Sequence, residues 1–231
     1  LLVLEDARTI NQRVQQLKLA ALGQLSASIA HEIRNPLAAI VQANELMQES
    51  DLQQRNMLSS LITKQANRID RIVKDTLNMV RNRETKTTLI HLDDFISLCL
   101  DEDFANLRDE IHVVIESDVA IYFDEDQLRQ VLVNLLRNAL HHNQSSGQKI
   151  ELHVYTQHNH VRIEVRDFGS GVASTDIASL FQPFFSTEIN GTGLGLYLSH
   201  SFCEANQAKL YYVEQQQGAC FRIECLRVNF A

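Results

Sequence analysis

Proline and glycine, the two residues that interrupt regular structure, are nearly absent from the first 146 residues of this 231-residue chain. That stretch holds Pro36 and Gly23; Pro183 and seven glycines, beginning at Gly147, lie beyond it. Long helices exclude such residues, whereas sheets and their turns need them. The asymmetry predicts an all-helical N-terminal part and a mixed C-terminal part.

Periodicity fills in the first part. Residues 6–49 read as one long helix, because Leu22, Leu25, Ile29, Ile33, Leu37 (or Pro36), Ile40, Asn44 and Met47 recur at spacings of three and four along one face. Pro36 lacks an N–H and crowds the preceding turn, so a kink is expected there. The pattern breaks at Ser50-Asp51 and resumes over 52–82 through Leu58, Ile62, Gln65, Ile69, Ile72, Thr76 and Met79. Two helices joined by a short turn form an antiparallel hairpin, which buries little alone. Two hairpins make a four-helix bundle, so a homodimer is expected. The competing arrangement is a monomer whose stripe lies on the second domain.

Residues 83–90 are polar and read as a linker. Beyond them, HLDDFISLCLDEDFANL fits a helix with an Asp N-cap. IHVVIES and AIYF are β-like, and Asp124 with Gln127 forms a capping box that opens the helix DEDQLRQVLVNLLRNALHHN. KIELHVYT and HVRIEVRD alternate as paired strands; GTGLGLYLSHSFCEANQ passes from loop to helix. KLYYVEQ and ACFRIECL make a terminal hairpin around QQGA. The fold class is therefore α + α/β: a helical hairpin followed by an α/β sandwich, with helices over one face of a mixed sheet.

A net charge of −8 argues against nucleic-acid binding, which needs a basic face. Cys99, Cys203, Cys220 and Cys225 show no metal or redox spacing and read as reduced packing residues. No apolar run reaches the length of a spanning helix, so no membrane contact is expected within these residues. The chain begins without Met and reads as helical from its start, which suggests a piece of a longer protein.

Four stretches carry chemistry. In HEIRNPL, each residue of a helix turns by about 100°, which places His31 away from the apolar stripe, with Glu32 beside it and Asn35 one turn along. The zinc signature H-E-x-x-H fails, since position 35 is Asn. A lone exposed His beside Glu is ordinary surface; the whole motif is not. In NLLRNALHH, Asn134 and Asn138 share a helix face and present amide oxygens, the neutral donors Mg²⁺ accepts where phosphates supply the charge. Solvated surface amides are the plainer alternative. In VRDFGSGV, Asp167 ends a strand where it can accept a hydrogen bond from an exocyclic amine, before Gly169 and Gly171. In GTGLGL, glycines before a helix leave N–H groups free for phosphates, yet the spacing matches neither a dinucleotide fingerprint nor a P-loop. Between the last two lies LFQPFFSTEIN, which reads as a mobile lid anchored by Phe181, Phe184 and Phe185.

In this order, HEIRNP, NLLRNA, DFGSG, PFFST and GTGLGL resemble the H, N, G1, F and G2 boxes of bacterial two-component sensor histidine kinases. The likeness spans nearly the whole chain and looks most like the nitrogen-sensor and type IV pilus-sensor branch. The resemblance implies a dimerisation and phosphotransfer domain with its signalling helix over 1–84, and a catalytic domain of the gyrase/histidine-kinase type over 85–231. It implies ATP-dependent phosphorylation of His31, with Glu32 as general base, then transfer to an aspartate of a response regulator. Asn35 implies a further phosphatase activity toward that regulator. Asn138 would hold Mg²⁺. The ATP pocket carried over by motif comprises Asn134, Asn138, His141, His142, Asp167, Gly169, Gly171, Thr187, Gly191, Thr192, Gly193, Leu194, Gly195 and Leu196. Two positions depart from the family: His141 stands where many members have Lys, and Glu188 replaces another Lys. The resemblance also implies a cytoplasmic location, as part of an inner-membrane-anchored sensor. A non-phosphorylating ATPase of the same superfamily would lack HEIRNP, and a signalling scaffold would not need Asn138, Asp167 and GTGLGL intact.

Overall fold

The computed structural model describes residues 26–48, 50–80, 85–116, 119–143, 147–188 and 191–228. Residues 6–25 of the expected first helix, with Leu22 and Leu25, and the side chain of Met79 lie outside the described residues. The chain divides into two compact units, one holding residues 1–82 with 186–194, the other 83–185 with 195–231.

The helical unit is the expected hairpin. Helix α1 covers residues 26–47 and continues through Pro36, which is buried. Helix α2 spans Leu52–Val80. The turn is built by local polar bonds. Ser50 Oγ donates to the Leu46 carbonyl at 2.6 Å and Arg55 Nε to that of Met47 at 3.2 Å, satisfying the end of α1. Asp51 opens α2 with a full capping box: its Oδ1 accepts from Gln54 N at 2.8 Å, and Gln54 Oε1 accepts from Asp51 N at 3.3 Å. Ile29, Ile33, Ile40 and Met47 turn inward as the stripe requires. Of the two alternatives at the proline, Pro36 rather than Leu37 is buried; one stripe position is corrected, since Ala43 takes the place expected for Asn44. A true 3.6-residue period shifts the face by one position there, and the small alanine lets the helices approach. On α2, Ile72 is fully buried, and Leu58, Ile62, Gln65, Ile69 and Thr76 are partly so.

In the second unit, a five-stranded sheet has the order β2-β4-β5-β7-β6. Its strands are β2 Ile111–Ile115, β4 Ile150–Gln157, β5 His160–Arg166, β6 Lys209–Val213 and β7 Cys220–Leu226. β2 and β4 run parallel; the other neighbours are antiparallel. Ile150, Leu152 and Val154 alternate with polar residues, as do Val161, Ile163 and Val165, so one face is apolar. Helices α3 Leu92–Asp103, α4 Glu125–His142 and α5 Gly195–Ala205 supply Phe95, Leu132, Leu136 and Cys203 to the same core. The sandwich expected from sequence is thus the observed fold.

Four details differ from the sequence expectation. Thr87–His91, inside the expected linker, is strand β1, paired antiparallel with β3 Ala120–Asp124 from Thr87↔Asp124 to His91↔Ala120. Only Ile90 of β1 is buried, so the strand exists through its partner rather than its own pattern. Helix α3 has His91 at its N-cap, with Asp93 and Asp94 inside the first turn, where they favour the helix dipole instead of capping. It also stops at Asp103, short of the expected end, and Ala105–Glu110 forms a 3₁₀ turn. The Asp124 cap is present, accepting from Gln127 N at 3.1 Å. The return bond of the box is made by another residue: Asp124 N donates to Asn206 Oδ1, and Asn206 Nδ2 donates to Gln127 Oε1.

Candidate active site

On α1, His31 is exposed and turned off the hairpin seam, as its angular position predicts. One turn along, Asn35 Nδ2 lies 3.3 Å from His31 Nδ1. An amide N–H donated to Nδ1 makes that nitrogen the acceptor and leaves the proton of the neutral ring on Nε2. Glu32 is half-buried and faces α2, where its Oε2 accepts from Arg68 Nη2 at 2.9 Å. The histidine and the carboxylate therefore point to different surroundings, one open and one braced.

In the sheet unit, α4 carries Asn134 and Asn138, both half-buried. Asn134 Nδ2 donates to Ser199 Oγ at 3.1 Å, and a Cβ on Gly195 would come within 2.2 Å of Asn134 Oδ1. Only a glycine can open α5 there. Asn138 has no side-chain hydrogen bond among the described residues, so its amide oxygen is available to a ligand. His141 and His142 are exposed at the end of α4, their rings edge to face at 5.2 Å.

Asp167 follows β5 and is 4% exposed. Its Oδ1 accepts from Gly169 N at 3.0 Å and Ala219 N at 3.1 Å. Oδ2 accepts no protein hydrogen bond among the described residues and remains an acceptor for a ligand N–H. Gly169 packs against the end of α4, where a Cβ would meet the His142 carbonyl oxygen at 2.2 Å. Gly171, at φ +72°, lies against the Gly218 carbonyl.

Of the remaining motif residues, Thr187, Gly191, Thr192, Gly193 and Leu194 fall in the stretch that groups with the helices, and Phe181, Phe184, Phe185 and Leu196 in the sheet unit. Phe181 and Phe185 pack against the sheet core, and Phe184 is half-buried at φ +64°. Thr187 is exposed. Thr192 is buried; its Oγ1 donates to Asp75 Oδ2 at 3.3 Å and accepts from Leu194 N. Leu194 is fully buried, and Gly193 adopts φ +65°. Burial pushes the Asp75 carboxyl above its ordinary range, against the opposing effects of Thr192 and Arg71. Leu196, in the first turn of α5, packs on the sheet core.

Sequence reasoning missed five residues. Arg68 and Asp75 sit in a run of similar polar helix positions that gives no signal. Ser199 is hidden in an apolar-looking helix. Asn143 donates from Nδ2 to the Gln148 carbonyl while its Oδ1 accepts from Phe168 N, tying the end of α4 to the Asp167 turn. Gly218 reads only as a hairpin turn.

The donor set fits a nucleotide with its magnesium. A buried carboxylate keeps one acceptor open, and an amide oxygen stands free on the adjoining helix. No cluster of three or more metal-binding side chains occurs among the described residues, so a cation here would share its ligands with phosphates.

Two family models match in chain order. The His Kinase A (phospho-acceptor) domain matches residues 21–85, and the histidine kinase-, DNA gyrase B- and HSP90-like ATPase matches residues 123–229. The sensor protein kinase PilS of Pseudomonas aeruginosa is 39% identical over 234 residues, covering 96% of this chain and 44% of PilS. The sensor histidine kinase ZraS of Escherichia coli K12 is 33% identical over 215 residues, covering 89% of this chain and 46% of ZraS. The chain spans less than half the length of these relatives. The crystal structure of histidine kinase ThkA in complex with response regulator protein TrrA is similar with a TM-score of 0.80 at 25% identity, over 96% of this chain and 66% of that one. ShkA, crystallised with AMPPNP, shares the fold at a TM-score of 0.62 and 23% identity, over 90% of this chain and 46% of that one. With a phospho-acceptor helix pair followed by an ATPase domain, this chain belongs to the family of bacterial sensor histidine kinases.

Proposed function

We propose that these residues are the kinase core of a two-component sensor. It phosphorylates His31 from ATP and passes the phosphoryl group to an aspartate of a response regulator. The observation that carries this is the exposed His31 ring on α1, whose Nδ1 is engaged by Asn35. An imidazole attacks only through an unprotonated nitrogen. As the unprotonated ring nitrogen bonds the γ-phosphorus, the P–O bond to the departing ADP breaks, and Glu32 is the base that takes the proton from the other ring nitrogen.

Bound Mg²⁺-ATP supplies the phosphoryl group with much of its charge neutralised. Asp167 selects the adenine amine through its open oxygen, Asn138 ligates the metal with Asn134 beside it, and the glycines of 169–171 and 191–195 admit the phosphates. His141, His142, Thr187, Thr192, Leu194 and Leu196 complete the pocket. Functionally, residues 1–84 form the dimerisation and phosphotransfer domain and 85–231 the catalytic domain. Leu37 and Val41 on α1, and Val73 and Leu77 on α2, are about half exposed on the single hairpin, which supports a second copy as their cover. Asn35 places a water for removal of the phosphoryl group from the regulator. The core works in the cytoplasm within a longer, inner-membrane-anchored sensor.

Incubation with γ-labelled ATP and Mg²⁺ tests the reading. An acid-labile, base-stable label that is lost in His31→Ala is expected, and Asn35→Ala retains the label while losing the ability to dephosphorylate the regulator. Free phosphate without labelled protein refutes phosphotransfer. Failure to bind nucleotide in calorimetry makes the chain a scaffold.

A further inference from the structure

The glycine stretch 191–194 is suited to offer its donors to phosphates, yet here they meet acceptors of the protein itself. Gly191 N donates to the Glu188 carbonyl at 3.3 Å. Leu194 N donates to Thr192 Oγ1 at 3.3 Å, and the Thr192 hydroxyl donates in turn to Asp75 Oδ2 at 3.3 Å. Asp75 stands on α2, 117 residues away in sequence. About two turns earlier on the same face of that helix, Arg68 Nη2 donates to the Gly191 carbonyl at 3.4 Å. Residues 186–194 accordingly group with the helical hairpin in one compact unit.

The Asp75 contact is not neutral toward a nucleotide. A hydroxyl has one hydrogen to donate, so Thr192 cannot serve a carboxylate and a phosphate together. Both acceptors are anions, and a phosphate brought to Thr192 Oγ1 with Asp75 in place meets a like charge at close range. Thr192 is 8% exposed, so water is a poor substitute partner. The hydroxyl keeps its bond to Asp75 until a ligand replaces it.

We propose that Asp75 is an internal competitor of ATP for Thr192: it latches the glycine stretch to α2, and phosphates reach Thr192 only when the latch opens. The proposal rests on the reading above that residues 191–195 admit the phosphates. The observed affinity is then the intrinsic affinity reduced by the fraction of chains whose latch is open, so removing the carboxylate tightens binding. Were Asp75 instead holding the stretch ready for phosphates, its removal would weaken binding.

Calorimetry of the 231-residue chain with Mg²⁺ and AMPPNP tests the sign. Asp75→Ala is expected to lower Kd by about three- to tenfold, the scale of one released hydrogen bond. Asp75→Asn, neutral but still able to accept, lowers it by less. In a Thr192→Val background, Asp75→Ala brings no gain, because the contested hydroxyl is gone. Without nucleotide, amide hydrogen exchange over residues 186–194 is expected to quicken in Asp75→Ala, while exchange in the sheet strands stays as it was. An unchanged or raised Kd, a gain that survives Thr192→Val, or unchanged exchange over 186–194 overturns the proposal. Should Asp75→Ala not fold, Asp75→Asn decides: tighter binding supports the latch, and unchanged or weaker binding refutes it. No binding by the unaltered chain or by either Asp75 variant sinks the nucleotide reading and this proposal with it. Binding that is the same in the unaltered chain and the Asp75 variants sinks the proposal alone.

Discussion

Asp167 and Gly218 show how much one contact can ask of two residues. Gly218 sits at φ +75°, and a Cβ there would fall 1.9 Å from the Asp167 carbonyl oxygen. Its neighbour Ala219 donates to Asp167 Oδ1, and Asp167 N donates back to the Ala219 carbonyl. The glycine lets two strand ends close around the buried carboxylate. Gly218→Ala is therefore expected to destabilise the sheet unit by at least about 1–3 kcal/mol through backbone strain alone, read from denaturant unfolding. Nucleotide affinity should fall with it, since Asp167 loses its setting. Asp167 was legible as a candidate because DFGSG follows an alternating strand. Gly218 was not, because a glycine in QQGA is equally a turn residue, and only the pairing of β5 with β7 brings it to residue 167.

Among the elements, the sheet face turned away from the core carries an ionic ladder. Opposite positions of β5 and β7 pair Arg162 with Glu224 and Glu164 with Arg222. Tyr155 donates to Glu164 and Tyr211 to Glu224. Burial alone would raise the Glu224 carboxyl, but the hydrogen bonds from Arg162 and Tyr211 outweigh it and hold the group below its ordinary value of 4.5. A depressed carboxylate binds fewer protons folded than unfolded in that range, so its contribution is full above the ordinary value and is lost as pH falls through the folded one. Wild-type thermal stability should therefore drop on acidification below about pH 4.5, the ordinary value, and Glu224→Gln should flatten that drop. Equal acid limbs in the two proteins would contradict it. The strands themselves were readable from alternation. The ladder was not, because sequence fixes which residues face one way but not which lie opposite. Strand β1 was hidden for the same reason, and α3 lost its expected Asp cap because a histidine in extended backbone ended β1 first.

Across the whole chain, all four cysteines are buried and free. Burial pushes Cys99 up to about 11 and Cys220 and Cys225 to about 12, while Cys203 rises still further above its ordinary value. Thiols so raised stay protonated and unreactive at neutral pH. Iodoacetamide at pH 8 should leave all four unmodified in the folded protein and label all four in denaturant, counted by intact-mass spectrometry. Modification of any one while folded would show that its surroundings open.

By itself the sequence determined the two-part plan, the hairpin, the sandwich, and the outward face of His31. Each follows from local periods and breakers that need no partner to be read. Tertiary structure alone decided which groups stand opposite one another. Arg68 on Glu32, Thr192 on Asp75 and Gly218 on Asp167 join residues distant in sequence, and no spacing encodes them. Hydrogen bonds between distant segments depend on how packed elements meet, and that is settled only when the core closes.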